Sequence, residues 1–223
     1  SCWTVAHNKK KEDKMKKLAL IAAAFVATAT LSYAGLSGSK HDFDTATWND
    51  SKTLCQPCHT PHNASTAVSA RIWAHNSDSS FSYTPYGTTF SNKTGTVTTN
   101  AKLCLSCHDG VTTLGDFIGN GTAGSAMSNA NGAVIGTTLE NDHPVGVEYP
   151  KTGDTNAGEY ELDGDSDGLV GKTGDSLPLH DTGTAKLIDC STCHNVHGNG
   201  FGVANYNYLL RVDNTSVDVC AEC

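Results

Sequence analysis

Methionine is almost missing from this chain of 223 residues: there are two, Met15 and Met127. Aromatic residues make up 7% and apolar residues of all kinds 38%. So little apolar surface cannot by itself offset the ordering of long Ser-, Thr-, Asn- and Gly-rich stretches, so a core of side chains alone is excluded. Positive charge is scarce as well. Residues 35–223 carry nine basic and 21 acidic side chains, a net charge of −12, because six of the 15 basic residues and two of the 23 acids precede Gly35. Such a surface excludes nucleic acid and anionic membranes as natural partners and suits basic proteins, metal cations or mineral surfaces. Spare cysteine is lacking too. Of nine cysteines, Cys2 lies near the start, and the other eight fall into C-x-x-C pairs that leave no thiol for a structural disulfide.

The N-terminal region reads as a leader. Met15-Lys16-Lys17 opens an apolar run from Leu18 to Val26, and Ser32-Tyr33-Ala34 before Gly35 has the small residues of a cleavage site. This is the pattern of a secretory signal peptide, and the run is too short to span a membrane. A membrane-anchored amphipathic leader is the alternative. The expected organisation is an upstream, non-native extension over 1–14, a signal peptide over 15–34, and one domain over 35–223.

What the chain does have is four cysteine pairs. Cys55-Gln56-Pro57-Cys58-His59, Cys104-Leu105-Ser106-Cys107-His108 and Cys190-Ser191-Thr192-Cys193-His194 read C-x-x-C-H, and Cys220-Ala221-Glu222-Cys223 stops one residue short of it. C-x-x-C-H is the attachment motif of c-type haem. Thiols at i and i+3 share one face of a helical turn and can bond two edges of one porphyrin, while the next histidine is directed at the iron. Three complete motifs would arise by chance with a probability of roughly 10⁻⁴. Structural zinc on paired C-x-x-C knuckles is the rival, but zinc needs no histidine after each pair. The expected cofactors are therefore four c-type haems, anchored by Cys55, Cys58, Cys104, Cys107, Cys190, Cys193, Cys220 and Cys223. His59, His108 and His194 are the proximal iron ligands.

Four irons need four further ligands. Met127 is the one methionine of 35–223, while six histidines remain outside the motifs: His41, His62, His75, His143, His180 and His197. The supply favours two histidines on every iron, which leaves no open coordination position and argues for electron transfer over substrate chemistry. The first and third motifs both continue to C-x-x-C-H-x-x-H, ending at His62 and His197. A histidine three residues beyond the proximal one cannot reach round to the same iron, so each is expected to serve a neighbouring haem. His143 precedes Pro144, which holds it extended, as suits a fixed ligand. Asp163, Asp165 and Asp167 resemble the start of a calcium loop, but Gly174 stands where an EF-hand needs glutamate, and a solvated acidic turn is the default reading. The expected fold is mostly irregular loops with short helices at the haem motifs and a core of stacked haems. Asp44 is expected to cap a helix into the first motif, and 82–99 to form a weak hairpin.

Cys58-His59-Thr60-Pro61-His62-Asn63-Ala64, Ile72-Trp73-Ala74-His75, Cys107-His108-Asp109-Gly110, His143-Pro144-Val145 and Cys193-His194-Asn195-Val196-His197-Gly198 follow one another in a familiar order. The chain resembles the exported tetrahaem c-type cytochromes of metal-reducing bacteria, the OmcE type. Some of these polymerise into extracellular cytochrome filaments, or nanowires. The resemblance spans nearly all of 35–223. It implies a multihaem cytochrome with stacked bis-His haems and distal ligands His41, His62, His143 and His197, with His75 in reserve. It also implies that a histidine of one subunit ligates a haem of the next, and His41 is the expected one. The fourth motif departs from the family by lacking its histidine, which is expected as the next residue. The implied function is electron transfer to extracellular metal acceptors or other redox proteins, at the cell surface or beyond, as a homo-oligomer or filament and not as an enzyme. A monomeric periplasmic shuttle and a multihaem reductase are the alternatives.

Overall fold

The computed structural model describes residues 36–66, 72–76, 82–87, 95–129, 132–150, 168–170, 177–197 and 209–211. The leader, the fourth motif with Cys220 and Cys223, and Asp163, Asp165 and Asp167 lie outside these residues.

Regular structure is sparse among the described residues. Two helices, α1 (Thr99–His108) and α2 (Cys190–Cys193), carry the second and third motifs. Five strands of two or three residues accompany them: β1 (Val147–Glu148), β2 (Leu169–Val170), β3 (Leu177–Pro178), β4 (His180–Asp181) and β5 (Lys186–Ile188). β5 lies between β1 and β4 in an antiparallel sheet, with Val147 opposite Ile188 and His180 opposite Leu187. β2 and β3 form a separate antiparallel pair. No described helix is long and apolar enough to cross a membrane.

Capping explains where the helices start. The Thr98 hydroxyl accepts from the Ala101 N–H at 2.9 Å, satisfying a donor that the first turn of α1 would leave orphaned. α1 ends at Asp109, and Gly110 takes a left-handed φ of 70° that turns the chain away, as glycine does after a helix. β5 runs into Asp189, whose carboxylate accepts from the Cys190 N–H at 2.7 Å while the Thr192 hydroxyl accepts from the Asp189 N–H at 3.0 Å. This reciprocal arrangement is a capping box. The two caps also bind each other: the Thr98 hydroxyl donates to the second oxygen of Asp189. Both residues are buried. Asn100 donates to the Ser191 hydroxyl at 2.7 Å beside them, so the starts of α1 and α2 are locked together.

Two small apolar clusters flank this junction. Ala101, Leu105, Leu139, Val145 and Cys190 form one, with Tyr83, Val97, Cys104 and Ile135 against it. Tyr149, Val170, Leu177, Leu179 and Ile188 form the other, under the strands.

The approach to the first motif is not helical. Asp44 caps nothing of the kind: 44–54 is a run of turns and bends. Asn49 sits fully buried there and donates to the Phe43 and Thr53 carbonyls at 2.8 and 3.0 Å. A side chain that takes carbonyls on both sides competes with the helical ladder. The region expected as a hairpin is described only at its ends. Gly95 donates to the Tyr86 carbonyl at 2.9 Å, but Thr84 pairs with Thr138 instead of with its own return strand.

Asp189→Ala removes the cap of α2 and strips the Thr98 hydroxyl of its acceptor. We expect it to destabilise the protein by about 2–4 kcal/mol, read as a lowered midpoint of urea denaturation.

Candidate functional site: three facing histidine pairs

The three described motifs use one backbone device. The N–H of the motif histidine, or of the residue that caps its turn, returns to a carbonyl four residues back: His59 to Cys55 at 2.8 Å and His194 to Cys190 at 3.0 Å. α1 sets the second motif in the same helical turn. Both thiols of a pair then lie along one side of a single turn.

The first and third motifs share more than this. In the first, Thr60 donates to the Ile72 carbonyl at 2.9 Å and Ala74 to the Cys58 carbonyl at 2.8 Å. In the third, Asn195 donates to the Leu209 carbonyl and Arg211 to the Cys193 carbonyl, both at 2.8 Å. The motif histidine bridges antiparallel to the residue between, His59 to Trp73 and His194 to Leu210. Each returning segment opens on a left-handed residue, Ile72 at φ 53° and Leu209 at φ 57°, a conformation that is an outlier for β-branched isoleucine. One module is built twice.

Every described motif histidine faces a second histidine. His41 and His108 have ring centroids 6.0 Å apart, His59 and His197 6.0 Å, and His143 and His194 6.3 Å. An imidazole nitrogen binds a first-row metal at about 2.0 Å, and the ring centre lies roughly 1.1 Å behind it, so two imidazoles across one ion have centroids about 6.2 Å apart. One pair at such a distance is ordinary aromatic packing. Three pairs, each joining a motif histidine to one from a distant segment, match the spacing of paired axial ligands. The interplanar angles of 63°, 14° and 41° are all open to ligands that share only an axis.

The ring nitrogens are prepared for this. His108 Nδ1 lies 2.7 Å from the Ala133 carbonyl. That contact holds the proton on Nδ1 and leaves Nε2 with a free lone pair, the arrangement that metal-binding histidines use. Burial, with His108 and His194 nearby, pushes the His41 imidazole down to about 4. The ring is therefore neutral, as a ligand must be. Its Nδ1 is buried without a hydrogen-bond partner.

The thiols converge as well. Cys104 and Cys190 hydrogen-bond each other, which lowers Cys104 and raises Cys190. Burial is the main cause that raises Cys58 to about 11 and also raises Cys107. Among the described residues no three His, Cys, Asp or Glu side chains gather as a cage for a metal ion. The Cys104–Cys190 contact leaves a disulfide as the rival use of those two sulfurs.

The remaining sequence candidates divide sharply. His75 is 1% exposed, with Nδ1 2.9 Å from the Asn76 carbonyl and Nε2 3.3 Å from the Leu114 carbonyl. Each ring nitrogen lies against a backbone carbonyl, and the neutral imidazole donates its single N–H to one of the two. His62 is exposed, and only its backbone is engaged, through the Thr60 hydroxyl. His41, the histidine expected to reach a neighbouring subunit, faces His108 within this chain. His180 lies in β4, half-buried. Asp109 and Asp189, buried beside the second and third motifs, were not foreseen as site residues. Asp189 was legible in the sequence as a cap residue three before Thr192. No family model matches the chain, and no curated protein matches it in sequence.

His75→Phe should lower stability by about 1–3 kcal/mol, the cost of removing a buried ring's hydrogen bond to a backbone carbonyl. It should leave the three facing pairs in place, as checked by denaturation and a structure of the variant.

Proposed function

We propose that this chain is an exported multihaem c-type cytochrome that transfers electrons and catalyses no reaction of its own. The observation that carries the reading is the set of three facing histidine pairs, each containing the histidine of a C-x-x-C-H motif. Bound haem would supply reversible one-electron chemistry. The residues fit it in three ways. Cys55 and Cys58, Cys104 and Cys107, and Cys190 and Cys193 would anchor the macrocycles. His59 with His197, His108 with His41, and His194 with His143 would close both faces of the iron. The Ala133 carbonyl would hold His108 in its ligating tautomer.

Cys220 and Cys223 would anchor the fourth group, with the residue after Cys223 as its proximal histidine. Of the four assigned distal histidines, His62 remains for it, exposed and with its ring uncommitted among the described residues. Two imidazoles on each iron close it to substrate and hold its potential below that of a methionine-ligated haem. Both properties favour a conduit over a reductase. Clustered motifs favour rapid passage from one group to the next, and the acidic surface suits basic redox proteins or metal cations.

The leader supports a location outside the cytoplasm, with electrons delivered at the cell surface or beyond by a filament of many copies. Electron microscopy of sheared extracellular material separates that assembly from a monomeric periplasmic shuttle. Calcium at Asp163, Asp165 and Asp167 is the weaker cofactor proposal.

The deciding test uses purified protein. A pyridine haemochrome assay should return covalently bound haem, and carbon monoxide should leave the reduced spectrum unchanged. His143→Ala should make one haem's share of the spectrum respond to carbon monoxide, because it opens one face of one iron. An assay returning no covalent haem, or a mass showing a Cys104–Cys190 disulfide, would falsify the reading.

A further inference from the structure

The twice-built module differs at one telling position. Where the third motif sets Leu210 opposite its histidine, the first sets Trp73. The Trp73 ring packs edge-on against His59, with centroids 5.8 Å apart and planes at 88°. Its indole nitrogen is buried and has no hydrogen-bond partner among the described residues. An indole N–H can only donate, and a buried donor left unpaired costs about 1–3 kcal/mol. Leucine fills the equivalent place in the other module without that cost. A donor kept beside His59 therefore calls for an acceptor that the described residues do not supply. Porphyrins of the haem type carry two carboxylates at their edge, and the nine basic residues of 35–223 are already outnumbered by 21 acidic side chains, so neutral donors are valuable to them.

We propose that the Trp73 indole N–H donates to a propionate carboxylate of the haem held by Cys55, Cys58, His59 and His197. This rests on the functional reading above. Trp73 is then a positioning residue. It fixes that carboxylate, draws off part of its negative charge, and so raises the potential of the first haem. The third haem, with Leu210 in the same place, lacks this contact. Two groups in matching modules are thereby given different potentials.

The test compares wild type with Trp73→Phe, which keeps an aromatic ring against His59 and removes only the N–H. In a potentiometric titration followed in the visible spectrum, one component should move to lower potential while the others stay. Ultraviolet resonance Raman of the unmodified haem-loaded protein should show one indole in a strong hydrogen bond, and this measurement decides alone if the variant does not accumulate. Unmoved components, or a Raman band at the free-indole position, would overturn the proposal in material whose haemochrome assay shows a full haem complement. Absence of covalent haem would instead strike at the functional reading beneath it.

Discussion

The fold turns on a hydrogen bond between two helix caps. Thr98 begins α1 and Asp189 begins α2, and the hydroxyl of one is held by the carboxylate of the other. Each group also serves its own helix. A single buried polar junction therefore sets the direction of two cysteine pairs at once. It stands in for the large apolar core that the composition cannot provide, and it brings the Cys104 and Cys190 thiols together. A carboxylate near two helix starts is favoured by their dipoles as well as by its hydrogen bonds.

From that junction the rest of the site is assembled by pairing across long stretches of chain. Elsewhere regular structure is too short to carry geometry, so isolated bridges do this. Trp73 opposite His59, Phe117 opposite His75 and Leu210 opposite His194 are examples. These three each hold a histidine, while Thr84 opposite Thr138 and Thr113 opposite Ala126 tie loops together. The intervening loops are held by side-chain caps such as Asn49 and Asn120, which gathers the Trp48, Gly115 and Thr122 carbonyls.

Local chemistry was legible in the sequence and long-range choice was not. Spacing alone picked out the cysteine pairs and His59, His108 and His194, because attachment chemistry acts over five residues. The assigned set of distal histidines rested on a resemblance and on the count of spare rings. Which ring faces which motif depends on contacts between segments far apart, and no local pattern encodes that. His41 shows the difficulty: its polar entry segment reads as a mobile end, yet it is buried against His108 and Phe43. Asp44 shows another, since a good cap residue came to nothing once Asn49 captured the carbonyls around it. His75 was set in reserve because its Trp-Ala-His context reads as packing, and its ring lies between the Asn76 and Leu114 carbonyls.

The three facing pairs join 41 to 108, 59 to 197 and 143 to 194. The first two spans overlap like crossed links, and the third is nested inside the second. Every peptide bond between residues 41 and 197 is consequently enclosed by at least one span. No cut in that stretch yields two fragments that each keep their pairs. Residues 41–197 are thus indivisible although the described residues hold little regular structure, and closing such interleaved loops costs entropy that only a strong link at each crossing can offset.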